Sequence, residues 1–551
     1  MVSASAVRAG ALATNPDEIR PATREETFPV ALAAVLLSFV ALLFCFSRGY
    51  LLLYGDAVAH LGIARRILDS RNPGLIQLGG VWLPLPHLLM LPFVQKLEWW
   101  QNGLAGAWPS LLCYIASVAG LYRLARHLLM PRWAVAATAF YALNPNLLYL
   151  ATTAMTEPLF VALLIWITLL TVECVAAIHA ARNGVVARRL ILISVFILAA
   201  VYTRYDGWVL GASVWCVLTF VLARHRDVWR RVAPSFVFFT LLVAAGPISW
   251  LAYNQHFFHD PLDFVRGPYS ASAIEKKTAA SGSEHYHGWH SPFWALVYYV
   301  RTAQVDAAFW ETGFLVMAAA IGGLTLAIRR RMSLPALLLW VPLPFYIYSV
   351  AYGSVPIFIP QLWPHSYYNS RYGLEMLPAL ALFAFLAVQW IEERWGQLQP
   401  FANKLMQPIA LLLIALNAVG MMYRTPLVLK EAINNSITRV GFETALARQL
   451  LAFPKGSVIL MYNSDHVGAL QYAGIPLRQT INEGDYDSFQ AALAAPAEHA
   501  AYVVAIAGDP VSKAVAAHPQ GLTELTILCT TGQPCAHIYQ SDRATDAQPK
   551  S

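Results

Sequence analysis

Asp56 lies one step beyond the first long apolar run, in Tyr54-Gly55-Asp56-Ala57-Val58-Ala59-His60. A carboxylate at the mouth of a membrane span is costly to hold beside lipid, so it is a functional candidate by default. The chemistry it offers is that of a general base or an anchor for a cation. If 56–69 is helical, His60 shares its face. The plain alternative is that Asp56 caps this helix and His60 bonds to it. Glu157, in Thr152-Thr153-Ala154-Met155-Thr156-Glu157-Pro158, is either a second site acid or an acid in the first turn of a helix beside a leading proline.

Two arginines complete the set. Arg204 lies in Tyr202-Thr203-Arg204-Tyr205-Asp206-Gly207-Trp208, after an apolar run of about fourteen residues, or roughly 21 Å of helix against a hydrocarbon core of about 30 Å. A guanidinium below the membrane surface needs an anionic partner: Asp206 is the structural one, and a lipid phosphate the functional one. Arg371, in Tyr367-Tyr368-Asn369-Ser370-Arg371-Tyr372-Gly373, either snorkels to headgroups or joins the same pocket. Metal chemistry has a weaker basis. Asp56, His60, Glu157 and His87 offer a mixed oxygen and nitrogen set, and His285, His287 and His290 form a run, but no spacing is diagnostic. The chain contains no Gly-x-Ser-x-Gly and no P-loop.

The elements that must position these residues are membrane helices. The chain has 551 residues, 58% hydrophobic and 13% charged, too few charges for a water-soluble globule of that length. Spans are expected near 28–53, 105–122, 133–150, 158–179, 190–203, 208–223, 233–253, 308–328, 334–353, 373–391 and 405–423, about eleven in all. The net charge of +7 sits in short loops, at Arg123, Arg126 and Arg132, at Arg182, Arg188 and Arg189, and at Arg329, Arg330 and Arg331. These clusters fall on one side, which the positive-inside rule makes cytoplasmic, and nucleic acid is excluded as the reason for the charge. The expected organisation is an α-helical polytopic membrane protein, matching a bacterial inner membrane. Residues 1–27 form a cytoplasmic tail, 28–423 the membrane part and 430–545 a small extracytoplasmic α/β domain. Long loops at 54–104, 254–307 and 354–372 face outward, with 56–69 and 82–99 helical and 275–283 mobile. In the α/β part, strands are expected at 458–462, 502–507 and 522–529, and helices at 465–473, 486–495 and 509–517. Cys529 and Cys535 are spaced for a disulfide if that part lies outside the cytoplasm.

Several short motifs in this order resemble the multi-spanning glycosyltransferases of the C superfamily (GT-C). The likeness is to the protein O-mannosyltransferase and aminoarabinose transferase branch, family thirty-nine and its relatives. They are Gly55-Asp56-Ala57-x-x-His60, Trp82-Leu83-Pro84-Leu85-x-His87, Met155-Thr156-Glu157-Pro158-Leu159-Phe160, Thr203-Arg204-Tyr205-x-Gly207, and Ser370-Arg371-Tyr372 with Leu377-Pro378. The resemblance implies inverting transfer on the outer face, from a sugar on a polyprenyl or dolichyl phosphate to a glycan, lipid or protein acceptor. It implies Asp56 as general base and Glu157 as the second acid, positioning substrate or a divalent metal. It implies Arg204 and Arg371 on the donor phosphate, with Tyr372, His60 and His87 as substrate-binding neighbours. Ala57 departs from the protein mannosyltransferases, where an acid follows the first one, and this counts against a protein acceptor. Two other classes remain. A transporter or flippase of a lipid-linked substrate predicts ionisable groups near the bilayer midplane and paired halves, whereas these charges gather at the rim and no repeat is visible. A membrane-anchored binding protein would place its function in 430–551.

Overall fold

The computed structural model describes residues 19–278, 285–396 and 400–543. Most of the expected tail (residues 1–18), the tip of the expected mobile segment (279–283) and the last residues of the α/β part lie outside the described residues. Among the described residues, ten helices or helix runs are long and apolar enough to cross a membrane: Arg24–Ser47, Leu104–Ala125, Glu157–His179, Asn183–Val201, Asp206–Arg224, Arg226–Phe258, Thr312–Arg330, Leu334–Tyr352, Ser370–Arg394 and Leu405–Leu450. The architecture is a polytopic helical protein with a small sheet domain at its C-terminal end.

Three expectations need correction. The span expected at 133–150 is two short helices, Pro131–Ala142 and Pro145–Leu150, because Asn144 ends one and caps the next. Its side-chain oxygen accepts from the Asn146 and Leu147 amides at 3.0 and 3.2 Å, and Pro145 has no amide to continue a helix. The span expected at 190–203 begins at Asn183, so its 19 residues run about 28 Å and the depth argument for Arg204 falls. The expected helix at 82–99 is broken into Leu85–Val94 and Leu97–Asn102.

The membrane helices approach closely where small residues allow it. Gly323 lies against the Phe383 backbone, and any Cβ there would collide with the Phe383 carbonyl. The Glu157–His179 helix is largely buried: Glu157 begins it, and Glu173, about 24 Å farther along, pairs with Arg123 at 3.4 Å and Arg189 at 2.6 Å. The two ends of one helix thus carry two separate charge clusters.

After Tyr423 the chain turns into a long helix, Leu427–Leu450, that connects the membrane part to the sheet. It is tied to the start of the first long loop and to the Pro145–Leu150 helix: the Tyr54 hydroxyl donates to Val428 O at 2.9 Å, Arg439 Nη2 donates to Leu52 O and Leu53 O at 2.9 and 3.0 Å, and Val428 N donates to Asn146 Oδ1 at 2.9 Å. The sheet has β1 (Ile459–Met461), β2 (Thr480–Ile481), β3 (Tyr502–Ile506), β4 (Leu522–Leu528) and β5 (Ala536–Ser541), in the order β2-β1-β3-β5-β4. β1 runs parallel to β2 and β3, and β5 is antiparallel to β3 and β4. Alternation along each strand splits the core. Ile459, Met461, Val504, Ile506 and Ile538 join the large core shared with the membrane helices, while Leu460, Val503 and Ala505 face a small core with Val511, Val515 and Phe489. Cys529 and Cys535, between β4 and β5, are disulfide-bonded.

Candidate active site

Asp56 sits inside the Gly55–Arg66 helix, not at its cap; Tyr54 is the capping residue and makes no side-chain cap bond. The Asp56 carboxylate is therefore available, and its Oδ2 accepts from Arg371 Nη2 at 2.6 Å. Arg371 uses its other donors on two more acids, with Nε on Glu157 Oε1 at 2.9 Å and Nη1 on Glu431 Oε1 at 3.4 Å. Glu157 Oε1 also takes Arg204 Nη1 at 3.3 Å. Arg204 spends the rest of its fork on Asp206 Oδ2 (3.0 Å), Thr156 Oγ1 (3.0 Å) and the Tyr346 hydroxyl (2.6 Å), with Glu375 Oε1 at 3.3 Å. The Tyr372 ring lies between the two cations, its centroid 5.0 Å from Arg204 Cζ and 4.9 Å from Arg371 Cζ.

The cluster is graded in exposure. The Asp56 side chain is 43% exposed, whereas those of Glu157, Glu431, Asp206 and Glu375 are 2% or less. Five carboxyl groups thus meet two guanidiniums, and the bond between Asp56 and Arg371 is the one open to solvent.

His60 and His87 pair with each other. His60 Nδ1 stands 2.8 Å from His87 Nε2, both are buried, and the Trp82 ring covers His60 at 4.3 Å between centroids. Burial, with the Arg371 and Arg204 charges behind it, pushes His60 down to about 3, and burial holds His87 well below the usual imidazole range. Both are neutral near pH 7, one donating to the other. His60 thus bonds to His87 rather than to Asp56. The four residues weighed as a metal set do not form one: among the described residues no three His, Cys, Asp or Glu side chains are placed to hold a metal ion. His285, His287 and His290 instead lie against aromatic rings, at 4.4 Å from Trp289, 4.8 Å from Trp363 and 5.6 Å from Tyr352.

ArnT from Cupriavidus metallidurans has the same architecture. Its structure bound to undecaprenyl phosphate superposes with a TM-score of 0.57 at 15% identity, over 96% of this chain and 100% of that one. The apo state of ArnT gives a TM-score of 0.52 at 15% identity, over 91% of this chain and 97% of that one. This chain has the GT-C fold. No protein-family model and no curated protein matches it.

Within the GT-C fold, two acids of the cluster escape a reading by motif. Glu375 stands inside an apolar span, Leu374-Glu375-Met376-Leu377, and an ionisable residue there is itself a signal. Glu431 stands past the last expected span, yet within the apolar stretch Leu427-Val428-Leu429-Lys430-Glu431-Ala432-Ile433. It accepts from the amides of Asn369 and Ser370 at 3.0 and 2.8 Å, and from the Ser370 hydroxyl. Those bonds hold the turn that carries Arg371.

Proposed function

We propose that this protein is a membrane glycosyltransferase that moves a sugar from a polyprenyl-phosphate donor to an acceptor hydroxyl in one inverting displacement. The observation that supports this most is the half-exposed Asp56–Arg371 ion pair, backed by Glu157 and Arg204, in a chain with the fold of a protein whose structure holds undecaprenyl phosphate. The donor phosphate takes Arg371 as its counter-ion and displaces Asp56. The freed carboxylate then removes the acceptor proton as the acceptor oxygen bonds to the anomeric carbon. As the bond from that carbon to the phosphate oxygen breaks, charge gathers on the leaving phosphate, and Arg371 with Arg204 behind it stabilises that charge. Glu157 sets the spacing of the two guanidiniums, and Tyr372 keeps them apart. Trp82, packed over the buried, neutral His60–His87 pair, forms the wall against which the sugar rests.

The test is transfer by the full-length protein in nanodiscs, with a panel of radiolabelled polyprenyl-phosphate sugars and a membrane extract as acceptor. The reading requires label to move from donor to product with inversion at the anomeric carbon, and to stay put in Asp56→Asn. Transport of the intact donor across the bilayer without bond cleavage would place the protein among flippases instead.

A further inference from the structure

The sheet carries a second concave site that the arginine cluster does not use. One face of the sheet is buried against the membrane part. On the opposite face the helix Pro510–Ala517 covers β3 but stops short of β5 and β4. Between them lies an open cleft of about 400 Å³, within the range of roughly 300–1,000 Å³ usual for small-molecule sites.

The cleft exists because its walls are unequal. Ala505 and Ala507 of the β3 side and Ala516 of the helix end at Cβ, while His537 and Tyr539 of β5 stand up from alternate positions on the same face. Their two rings are 6.5 Å apart with planes 15° from parallel. His537 Nδ1 is fixed by Glu524 Oε1 of β4 at 2.6 Å. Among the described residues, His537 Nε2 and the Tyr539 hydroxyl have no hydrogen-bond partner in the protein. Aligned ring faces with uncommitted polar edges complement a pyranose, which has a flat C–H face and a rim of hydroxyls. The lining carries no arginine or lysine, and Glu524 adds a carboxylate beside it, so a phosphate or uronate is disfavoured.

We propose that this cleft is a binding site for a neutral or amino-substituted oligosaccharide, separate from the arginine cluster. Tyr539 and His537 stack on successive sugars, Glu524 and Tyr539 bond their hydroxyls or amino groups, and the alanine floor gives the depth. This does not depend on the transfer reaction.

The test is saturation-transfer-difference NMR on the full-length protein in nanodiscs, with maltotriose, chitosan trimer and α-1,6-mannotriose as probes and glucose 6-phosphate as the anionic control. Two variants accompany the wild type: Tyr539→Ala, and Ala507→Trp, which fills the mouth at an exposed position. The expected result is saturable binding of at least one trisaccharide, weakened about tenfold or more in both variants, with no comparable signal from the anion. Three results overturn the proposal: no trisaccharide binds, binding survives both substitutions, or glucose 6-phosphate binds better than any of them.

Discussion

Arg204 and Arg371, from segments 167 positions apart in number, donate to the same oxygen, Glu157 Oε1, at 3.3 and 2.9 Å. One buried carboxylate thereby fixes the separation of two cations. Glu157→Gln keeps the shape but turns two charge-assisted hydrogen bonds into neutral ones, while Arg204 keeps Asp206 and Glu375 and Arg371 keeps Asp56 and Glu431. Losing the charge on such a bond costs about 1–2 kcal/mol. The expected outcome is a clear drop in the melting temperature of the purified variant. An unchanged melting curve would show that the two arginines do not depend on Glu157.

Asp56 behaves differently because it is half-exposed. Asp56→Asn retains an acceptor for Arg371 but cannot take a proton. Its melting temperature should stay near that of the wild type while transfer falls by about 10²–10⁴-fold. Initial rates at saturating donor, read beside thermal melts, separate the two effects.

Glu431 acts through Arg371 and the turn at Asn369 and Ser370. Glu431→Gln should loosen that turn, raising KM for the lipid donor more than it lowers kcat; Glu431→Asp, which keeps the charge, should recover part of the loss. A pure stability defect, with KM unchanged in the surviving enzyme, would assign Glu431 to folding alone.

The His60–His87 pair sets a pH dependence whose sign follows from burial. His60 titrates near 6.5 when unfolded and is pushed down to about 3 when folded. Its contribution to stability is fully present above about pH 6.5 and is lost as pH falls from there toward 3. The wild-type melting temperature should therefore decline between pH 7 and pH 5, and His60→Gln should flatten that decline. Parallel slopes in the two proteins would mean that His60 is charged in the folded state.

Much of the architecture was legible because apolar length and flanking arginines act locally. The strands 459–461, 502–506 and 522–528 and the helices 467–473, 487–494 and 510–517 fall where composition and alternation place them. The break at Asn144 is written in its own Asn-Pro pair, but the apolar run around it outweighs that signal. Of the cluster, the motif-bearing Asp56, Glu157, Arg204 and Arg371 are readable one by one, and Asp206 is one of the two partners the sequence offers Arg204. Their meeting was not readable, since it depends on contacts between distant segments. The Glu431 bond to a turn some sixty positions away belongs to the same class. β5 and the short β2 had no signal of their own, because an edge pairing borrows its register from a neighbour.

The helix Leu427–Leu450 has a mechanical consequence. Its first turns hold the Arg371 turn through Glu431, and its far end leads into β1. A rigid reagent gripping the sheet, such as an antibody fragment, therefore has leverage on the arginine through this helix. Screening such binders for those that slow the proposed transfer tests that leverage without touching the lipid-facing surface.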